Sequence, residues 1–338
     1  MTLKFNETFL NDLEKRLANT KIMVIGDLIL DCYFSGEVNR ISPEAPVPVF
    51  DLRSISYSLG GAANVAANLR GLKAQVELIG IVGKDDKGEI LKDLAKKQGI
   101  GTQGIVEDQE RPTTLKTRII AQSQHLLRVD FEKKDPLNVQ LIESLKKIYQ
   151  RLLPEVDAVI LSDYAKGVLM VEEFCRELIE EARKAGKPVL VDPKSVSWRK
   201  YQGATSITPN LKEFKQTALK EDLPIEDLEE SGKALIEKFG LDFLVITLGK
   251  DGVFLVQPEK RGLHLPAQAK EVYDVSGAGD TMISSLTAFY TAGLPLEKAL
   301  EMANIAAGIV VGKVGTKPVY WEEIKAFFYK NNQEGYDG

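Results

Sequence analysis

The chain contains few of the residues that build histidine or cysteine sites. Its 338 residues include two histidines and two cysteines, Cys32 and Cys175, which lie far apart in the sequence. So few histidines argue against a histidine metal site or a serine–histidine triad. Isolated cysteines are typical of buried side chains in a reducing compartment, so we expect a cytoplasmic protein.

Long apolar runs and excess positive charge are also missing. No stretch approaches the ~18 apolar residues of a membrane span, and the N-terminal segment lacks the apolar core of a signal peptide. The formal net charge is −5, so no basic surface is offered to a nucleic acid. We expect neither a membrane nor a nucleic-acid partner, and a few local basic side chains must hold any anionic ligand.

Strands and helices alternate regularly along the second half of the chain. From about residue 138, short apolar strands are followed by amphipathic helices, which predicts an α/β fold with a mostly parallel sheet covered on both faces. Two β-rich segments, 33–58 and 113–131, break this rhythm, and we interpret them as a small projecting lid.

Three parts of the chain follow from this pattern. We expect an N-terminal helical extension (1–20), a main domain with the lid (21–325) and a C-terminal tail (326–338), whose last residues, NNQEGYDG (331–338), are polar and frayed. Prolines at 43, 46 and 48 argue against a helix in the first lid segment and favour extended structure there.

The most informative segment reads YDVSGAGDTMISSL (273–286). Gly277, Ala278 and Gly279 precede an amphipathic helix, and small residues there let backbone N–H groups converge on an anion that the helix dipole also attracts. Asp280 lies in the first turn, where a carboxylate can accept a proton from an attacking hydroxyl. Taken alone, Asp280 fits a helix N-cap equally well.

Two further segments carry polar groups suited to a sugar. In SLGGAANVAANL (58–69), Gly60 and Gly61 open a helix that presents Asn64, although such a pair is often only a tight turn. In VIGDLILD (24–31), Gly26 closes a strand at the carboxyl edge of the sheet, where α/β ligand sites lie, and Asp27 and Asp31 are candidates to chelate vicinal hydroxyls.

A fourth segment, TPNLKEF (208–214), places Asn210 and Glu213 on one face of a helix start. Their oxygens suit hydrogen bonds to water around Mg²⁺ near phosphates. The alternative is a capping box, with Asn210 as the N-cap and Glu213 three residues later.

In this order, the four segments resemble those of the ribokinase-like (PfkB) carbohydrate kinase family. GGAAN (60–64) and DVSGAGD (274–280) are similar to the two signatures of that family, and the resemblance covers about residues 20–316. It implies a three-layer α/β/α sandwich with a β lid, a homodimer formed through that lid, and ATP with Mg²⁺.

The resemblance also implies roles for single residues. Asp280 would be the catalytic base and Gly277–Gly279 the anion hole, while Asp31 and Asn64 would bind the sugar beside Gly60 and Gly61. Asn210 and Glu213 would support Mg²⁺ and phosphate. A monovalent cation, K⁺, is implied near Asp274 and Ser276.

The nucleotide side of the resemblance lies near the C-terminus. TLGKDG (247–252) is similar to the loop beside the ribose and adenine, which implies nucleotide contacts for Thr247, Gly249 and Gly252. ANIAAG (303–308) implies another contact at Asn304. Thr247 and Gly249 fit simple turn residues as well.

Several segments are more similar to the heptose 7-phosphate kinases within that family, namely 24–50, 161–169, 191–194 and 272–281. This implies phosphorylation of D-glycero-β-D-manno-heptose 7-phosphate at the anomeric hydroxyl, on the route to ADP-heptose and lipopolysaccharide. The sugar phosphate needs a local basic cluster. Arg128, Lys166 and Lys194 are preferred among the candidates, which also include Arg40, Lys116 and Arg118, although each alone fits a solvated surface charge.

Two alternatives remain at this point. One is a kinase of the same fold for another sugar, sugar phosphate or nucleoside, and the other is a sugar-phosphate-binding regulator without catalysis. Many heptose 7-phosphate kinases are fused to an adenylyltransferase domain, but no HxGH-type motif is present here. If the chain is complete, we expect a separate adenylyltransferase to act next.

Overall fold

Thirteen strands are present in the computed structural model, which describes residues 7–122, 124–268, 273–313 and 315–334. In chain order they are β1 (Lys21–Gly26), β2 (Leu28–Ile41), β3 (Pro48–Gly61), β4 (Gln75–Gly83), β5 (Gly101–Asp108), β6 (Thr114–Ala121), β7 (Gln124–Phe131), β8 (Ala158–Ser162), β9 (Val189–Asp192), β10 (Ser206–Ile207), β11 (Phe243–Thr247), β12 (Val253–Val256) and β13 (Leu263–Leu265).

Ten α-helices accompany these strands within the described ranges. They are α1 (Glu7–Asn19), α2 (Ala62–Gly71), α3 (Asp86–Lys97), α4 (Val139–Leu152), α5 (Glu172–Lys184), α6 (Leu211–Lys220), α7 (Leu228–Phe239), α8 (Ala278–Thr291), α9 (Leu296–Val310) and α10 (Trp321–Glu334). None of the helices in this described part is both long enough and apolar enough to span a bilayer.

Nine strands form the main sheet, in the order β13-β12-β11-β10-β9-β8-β1-β4-β5. Parallel pairing runs from β11 to β5, and only β12 and β13 are antiparallel, at one edge. The expectation of a mostly parallel sheet is therefore confirmed. Because β1 lies between β4 and β8, its carboxyl end is central at the edge where ligand sites form.

Two apolar cores lie on opposite faces of this sheet. One contains buried side chains of α1, α2, α3, α8, α9 and α10, and the other those of α4, α5, α6 and α7. Strand residues contribute to both cores in alternation, as for Val24 and Ile25 of β1. The arrangement is the expected three-layer α/β/α sandwich.

A separate sheet of four strands, in the order β3-β2-β6-β7, contains both predicted lid segments. The β6–β7 hairpin is present as expected. The lid strands begin earlier than the sequence indicated, because β2 starts at Leu28 and only Asp27 separates it from β1. The prolines at 43 and 46 fall in the turn between β2 and β3, and Pro48 begins β3.

Helices near both ends of the chain pack in the main core, whereas the sequence predicted an extension and a tail. Leu10, Leu13 and Leu17 of α1 are at most 1% exposed and pack in the main core. The predicted tail from 326 instead continues α10, since Phe328 packs in the same core. The outermost parts of the two predicted segments, 1–6 and 335–338, lie outside the described residues.

Candidate active site

Asp280 lies at the centre of the site, in the first turn of α8. Its side chain is 5% exposed, and both carboxylate oxygens accept hydrogen bonds. Asn64, in the first turn of α2, donates from Nδ2 to Oδ2 at 2.6 Å, and the Tyr164 hydroxyl donates to Oδ1. The predicted sugar-side residue Asn64 is therefore in direct contact with the predicted base.

The surroundings of Asp280 tune its protonation. Burial, with a smaller contribution from the charge of Asp31, raises the pKa of Asp280 to about 6, although the donors Asn64 and Tyr164 act in the opposite direction. Since this pKa lies below neutrality, the carboxylate is the main form at pH 7, and it can accept a proton.

The turn before α8 presents backbone amides to the same space. Gly277 is the N-cap, with φ at 81°, a left-handed conformation that glycine adopts without strain. A Cβ on Gly279 would meet no atom within 4 Å, so the space beside this residue is open. First-turn amides have no acceptor within their helix, so this turn can receive an anion, as the sequence predicted.

Asp31 lies beside the Gly60–Gly61 pair. A Cβ on Gly60 would lie 2.6 Å from Asp31 Oδ2, and Gly61 adopts φ of 57°. The pair therefore does form the tight junction that the alternative interpretation proposed, and it also makes room for Asp31. The Asp31 carboxylate is 2.5 Å from Arg118 Nη1.

A cavity of about 320 Å³ lies on the other side of Gly279. Four residues predicted to contact the nucleotide line this cavity: Thr247, Gly249, Gly252 and Asn304. The other two predicted ATP-side residues, Asn210 and Glu213, are not among its lining residues. Ala278 and Gly279 line it too, so the anion turn joins this cavity to Asp280. The interior of the cavity is mainly apolar, which suits the adenine ring of a nucleotide whose phosphates are directed towards Gly279.

Residues 19–323 match the family described as pfkB family carbohydrate kinase. The chain belongs to the pfkB family of carbohydrate kinases. The base, the amide turn and the adjoining cavity thus lie within the part of the chain that this family covers.

Several relatives of this pfkB-family chain carry the name bifunctional protein HldE. The one from Desulfatibacillum aliphaticivorans is 43% identical over 91% of this chain and 63% of its own length. Those from Methylobacillus flagellatus and Vibrio vulnificus (strain YJ016) are 44% and 45% identical, over 94% and 88% of this chain and 66% and 61% of their own lengths. The chain therefore spans slightly less than two thirds of these relatives.

Solved structures show the same fold at low sequence identity. Arabidopsis thaliana ribokinase, complexed with ribose and ATP, has a TM-score of 0.69 and 18% identity, over 91% of this chain and 98% of its own. Escherichia coli phosphofructokinase-2, complexed with potassium, has a TM-score of 0.75 and 19% identity, over 92% and 98%. The ribokinase-like architecture is thereby shown.

The Asn210–Glu213 segment of the pfkB-family chain forms a complete capping box. Asn210 Oδ1 accepts from the Glu213 N–H at 2.9 Å, and Glu213 Oε2 accepts from the Asn210 N–H at 3.0 Å. The alternative interpretation is therefore confirmed as the local structure. Asn210 also forms an isolated β-bridge with Thr247, which lines the cavity, so the segment lies close to that cavity. The role of Asn210 and Glu213 at Mg²⁺ stays a prediction.

Each of the three preferred basic residues is paired with a different carboxylate. Arg128 Nε is 2.9 Å from Asp130, and its side chain is 55% exposed. Lys166 Nζ is 2.7 Å from Glu132. Lys194 Nζ is 3.4 Å from Glu213, so it lies beside a residue predicted for the ATP side.

Asp274 holds two loops together. Its oxygens accept from the backbone N–H groups of Ser276 at 2.9 Å and Gly315 at 3.2 Å. Burial alone would raise the pKa of Asp274, but these hydrogen bonds outweigh it and lower the pKa. The carboxylate is thus engaged with backbone donors, and any cation near Ser276 would be bound chiefly by carbonyl oxygens.

Sequence reasoning missed two polar groups of the site, Tyr164 and Asp192. Tyr164 contacts the base directly. Asp192 ends β9, and its pKa is raised by burial and then by the charges of Asp280 and Glu213. Both residues lie in segments that carried the closer resemblance, LSDYAKGVL and VDPK, and both follow or end strands at the carboxyl edge of the sheet.

Asp27 turns out to be a structural residue. Its carboxylate accepts backbone hydrogen bonds from Tyr164, Lys166 and Val168, each at 3.0 Å. The side chain is 2% exposed, so these donors replace water around it. The loop that presents Tyr164 to Asp280 is therefore fastened to the end of β1.

Proposed function

We propose that the chain transfers the γ-phosphoryl group of ATP to the anomeric hydroxyl of D-glycero-β-D-manno-heptose 7-phosphate. The observation that carries the catalytic part is the position of Asp280, between Asn64 on the sugar side and the amide turn that lines the nucleotide cavity. The resemblance to heptose 7-phosphate kinases and the identity of 43–45% to proteins named HldE support the choice of sugar.

In this proposal, side chains of the protein itself remove the proton from the attacking hydroxyl. Asn64 and Tyr164 orient the Asp280 carboxylate, which takes the proton of the attacking hydroxyl. The amides at Gly279 stabilise the negative charge that develops on the transferred group. Closure of the lid over a sugar phosphate at the carboxyl edge of the main sheet would exclude water and thus limit hydrolysis of ATP.

The residues on the nucleotide side fit a divalent cation. Asp192 and Glu213 offer carboxylate oxygens, the ligand type that Mg²⁺ prefers, and they lie close enough for the charge of Glu213 to raise the pKa of Asp192. Among the described residues there is no cluster of three His, Cys, Asp or Glu side chains suited to a metal, so we expect water and phosphate oxygens to complete its shell. When bound, Mg²⁺ would neutralise phosphate charge.

The monovalent cation and the dimer also belong to this proposal. The loops at Asp274 and Ser276, joined by the hydrogen bonds described above, are the proposed K⁺ site, and the phosphofructokinase-2 structure contains potassium. The lid's outer face exposes Leu127 by 56% and Phe131 by 63%. Such an apolar face favours a homodimer formed lid to lid.

The proposed product is a heptose 1,7-bisphosphate, a step towards ADP-heptose in the cytoplasm, where ATP is available. An adenylyltransferase activity would act later on this route. The relatives named bifunctional exceed this chain in length, which is compatible with a second activity elsewhere in those proteins.

The deciding experiment measures ADP release with ATP and Mg²⁺ over a panel of acceptors. The panel contains the heptose 7-phosphate, fructose 6-phosphate, ribose and adenosine, and ³¹P NMR identifies the product. We expect turnover on the heptose phosphate with a new anomeric phosphate signal. Turnover on another acceptor only would favour a different kinase of this fold, and sugar-phosphate binding without turnover would favour a regulator.

A further inference from the structure

The inner face of the lid arranges its charged side chains in two rows across the strands. Asp31 of β2 is in register with Lys116 of β6, and Lys116 is in register with Asp130 of β7. In the neighbouring row, Arg118 is in register with Arg128. Residues in register share a face of the sheet, so three cations and two carboxylates lie together on this face.

Both carboxylates are already occupied by the two arginines. Arg118 Nη1 lies 2.5 Å from Asp31 Oδ1. Arg128 donates to both oxygens of Asp130, at 2.9 and 3.0 Å. Each of these bonds joins an arginine of one row to a carboxylate of the other row. Lys116 lies between the two carboxylates and takes no part in these bonds.

Lys116 makes a different contact. Within the described part of the chain, no carboxylate forms an ion pair with its ammonium group, whereas the nearby Lys166 is paired with Glu132. Lys116 Nζ instead lies 5.7 Å from the centre of the Tyr164 ring. An aromatic face compensates a cation only in part.

The electrostatic surroundings disfavour the charge of Lys116. Its pKa is lowered, first by burial and then by the charges of Lys166 and Arg128, although Asp31 and Asp130 attract the ammonium group. A half-buried cation without a counterion in contact is stabilised by an arriving anion. A phosphate dianion suits this place, because it can also accept hydrogen bonds from the neighbouring arginines.

We infer that Lys116 binds the phosphate group which the acceptor sugar already carries, and that it thereby selects a phosphorylated sugar over a free one. This inference rests on the proposed function. Tyr164 lies between Lys116 and the base, since its ring faces Lys116 and its hydroxyl contacts Asp280. Among the described residues that line the cavity beyond Gly279, none belongs to the lid, so we assign the anion at Lys116 to the acceptor and not to ATP.

The test uses Lys116→Met, which keeps the length of the side chain and removes its charge. The KM for heptose 7-phosphate should rise on the order of 30-fold, the loss of one hydrogen bond between charged groups, while the KM for ATP stays at the wild-type value. The ratio of kcat/KM for the phosphorylated sugar to that for the unphosphorylated heptose should fall by the same factor. Lys116→Arg should restore part of it.

Lys134→Met is the matched control, because Lys134 is an exposed lid-side lysine paired with Glu132. It should leave both KM values unchanged. Equal losses of kcat/KM for the two sugars in Lys116→Met would overturn the inference, since the lysine would then serve the transferred group. An unchanged KM for the sugar phosphate in Lys116→Met would overturn it as well.

A second measurement separates this inference from the proposed reaction. Lysines of the whole protein are reductively methylated with ¹³C-formaldehyde, and the Lys116 resonance is assigned by its absence in Lys116→Met. Inorganic phosphate should shift that resonance and leave the Lys134 resonance in place. If no sugar phosphate is turned over, the proposed function fails, but the presence or absence of this shift still decides whether Lys116 binds phosphate.

Discussion

Asp280 is the residue on which the proposed chemistry depends, because its carboxylate is the proton acceptor. Asp280→Asn keeps the size of the side chain and removes this capacity, so we expect kcat to fall by at least ~10²-fold. ADP release under saturating substrates measures it. The exposed Asp93→Asn on α3 is the control, and turnover near the wild-type level in Asp280→Asn would exclude Asp280 as the base.

The hydroxyl of Tyr164 adjusts the same residue. Its hydrogen bond stabilises the charged carboxylate and lowers the pKa of Asp280, which burial has raised to about 6. Wild-type kcat/KM should therefore decline as the pH falls through about 6, where the carboxylate becomes protonated. Without the hydroxyl the pKa rises, so in Tyr164→Phe the decline should begin at higher pH.

The pH dependence of kcat/KM for both proteins provides the measurement. Tyr320→Phe serves as a control, because Tyr320 is half exposed and lies far along the chain at the start of α10. An acid limb at the same pH in wild type and Tyr164→Phe would show that the contact does not influence the base.

At this scale, sequence reasoning found groups that share one local segment. Gly277 and Asp280 are three residues apart, so helix geometry alone places both at the same end of α8. Tyr164 and Asp192 contribute from the ends of other strands, and a single sequence does not state which strand ends become neighbours. For the same reason the sequence did not show that Lys194 lies beside Glu213, and its role at the sugar phosphate stays a prediction.

Among the elements, α1 illustrates how an apparent appendage stabilises the sheet. Leu13 is fully buried in the main core, so Leu13→Ala leaves a cavity and should lower the free energy of unfolding by about 2–5 kcal/mol. Urea denaturation followed by circular dichroism measures this change. Leu219→Ala, at an exposed position of α6, should cost much less, and equal effects of the two variants would contradict the core position of α1.

Element boundaries followed from the sequence where periodicity was strong. The alternation of strands and helices predicted from about residue 138 is present, because amphipathic spacing and flanking turns mark helices such as α4 and α9. The sequence analysis missed α10, because the polar residues near the C-terminal end of this helix resemble a frayed terminus. The early start of β2 was also missed, because a buried strand that passes from one sheet to another has no turn signal at the crossing.

For the whole molecule, the apolar outer face of the lid predicts association. We expect the wild-type protein to be a dimer by light scattering coupled to size exclusion. Leu127→Glu places a charge on this face and should shift the mass to that of a monomer. Val139→Glu adds the same charge to an exposed site on α4 and should remain dimeric, while a monomeric wild type would contradict the proposal.

The overall architecture was predictable because the alternation of strands and helices leaves few ways to bury both faces of a parallel sheet. The strand order was not predictable from the pattern. In particular, the adjacency of β1 and β8 joins segments more than a hundred residues apart, and this adjacency brings the Tyr164 loop to the base.

Asp27 is the single residue between the last residue of β1 and the first residue of β2. Its carboxylate fastens the Tyr164 loop, and its carbonyl oxygen accepts from the Ala62 N–H at the start of α2. Asp27 is therefore the point at which the chain passes from the main sheet to the lid sheet. We expect a movement of the lid to act through Asp27 on both α2 and the Tyr164 loop, which carry the two hydrogen-bond donors to Asp280.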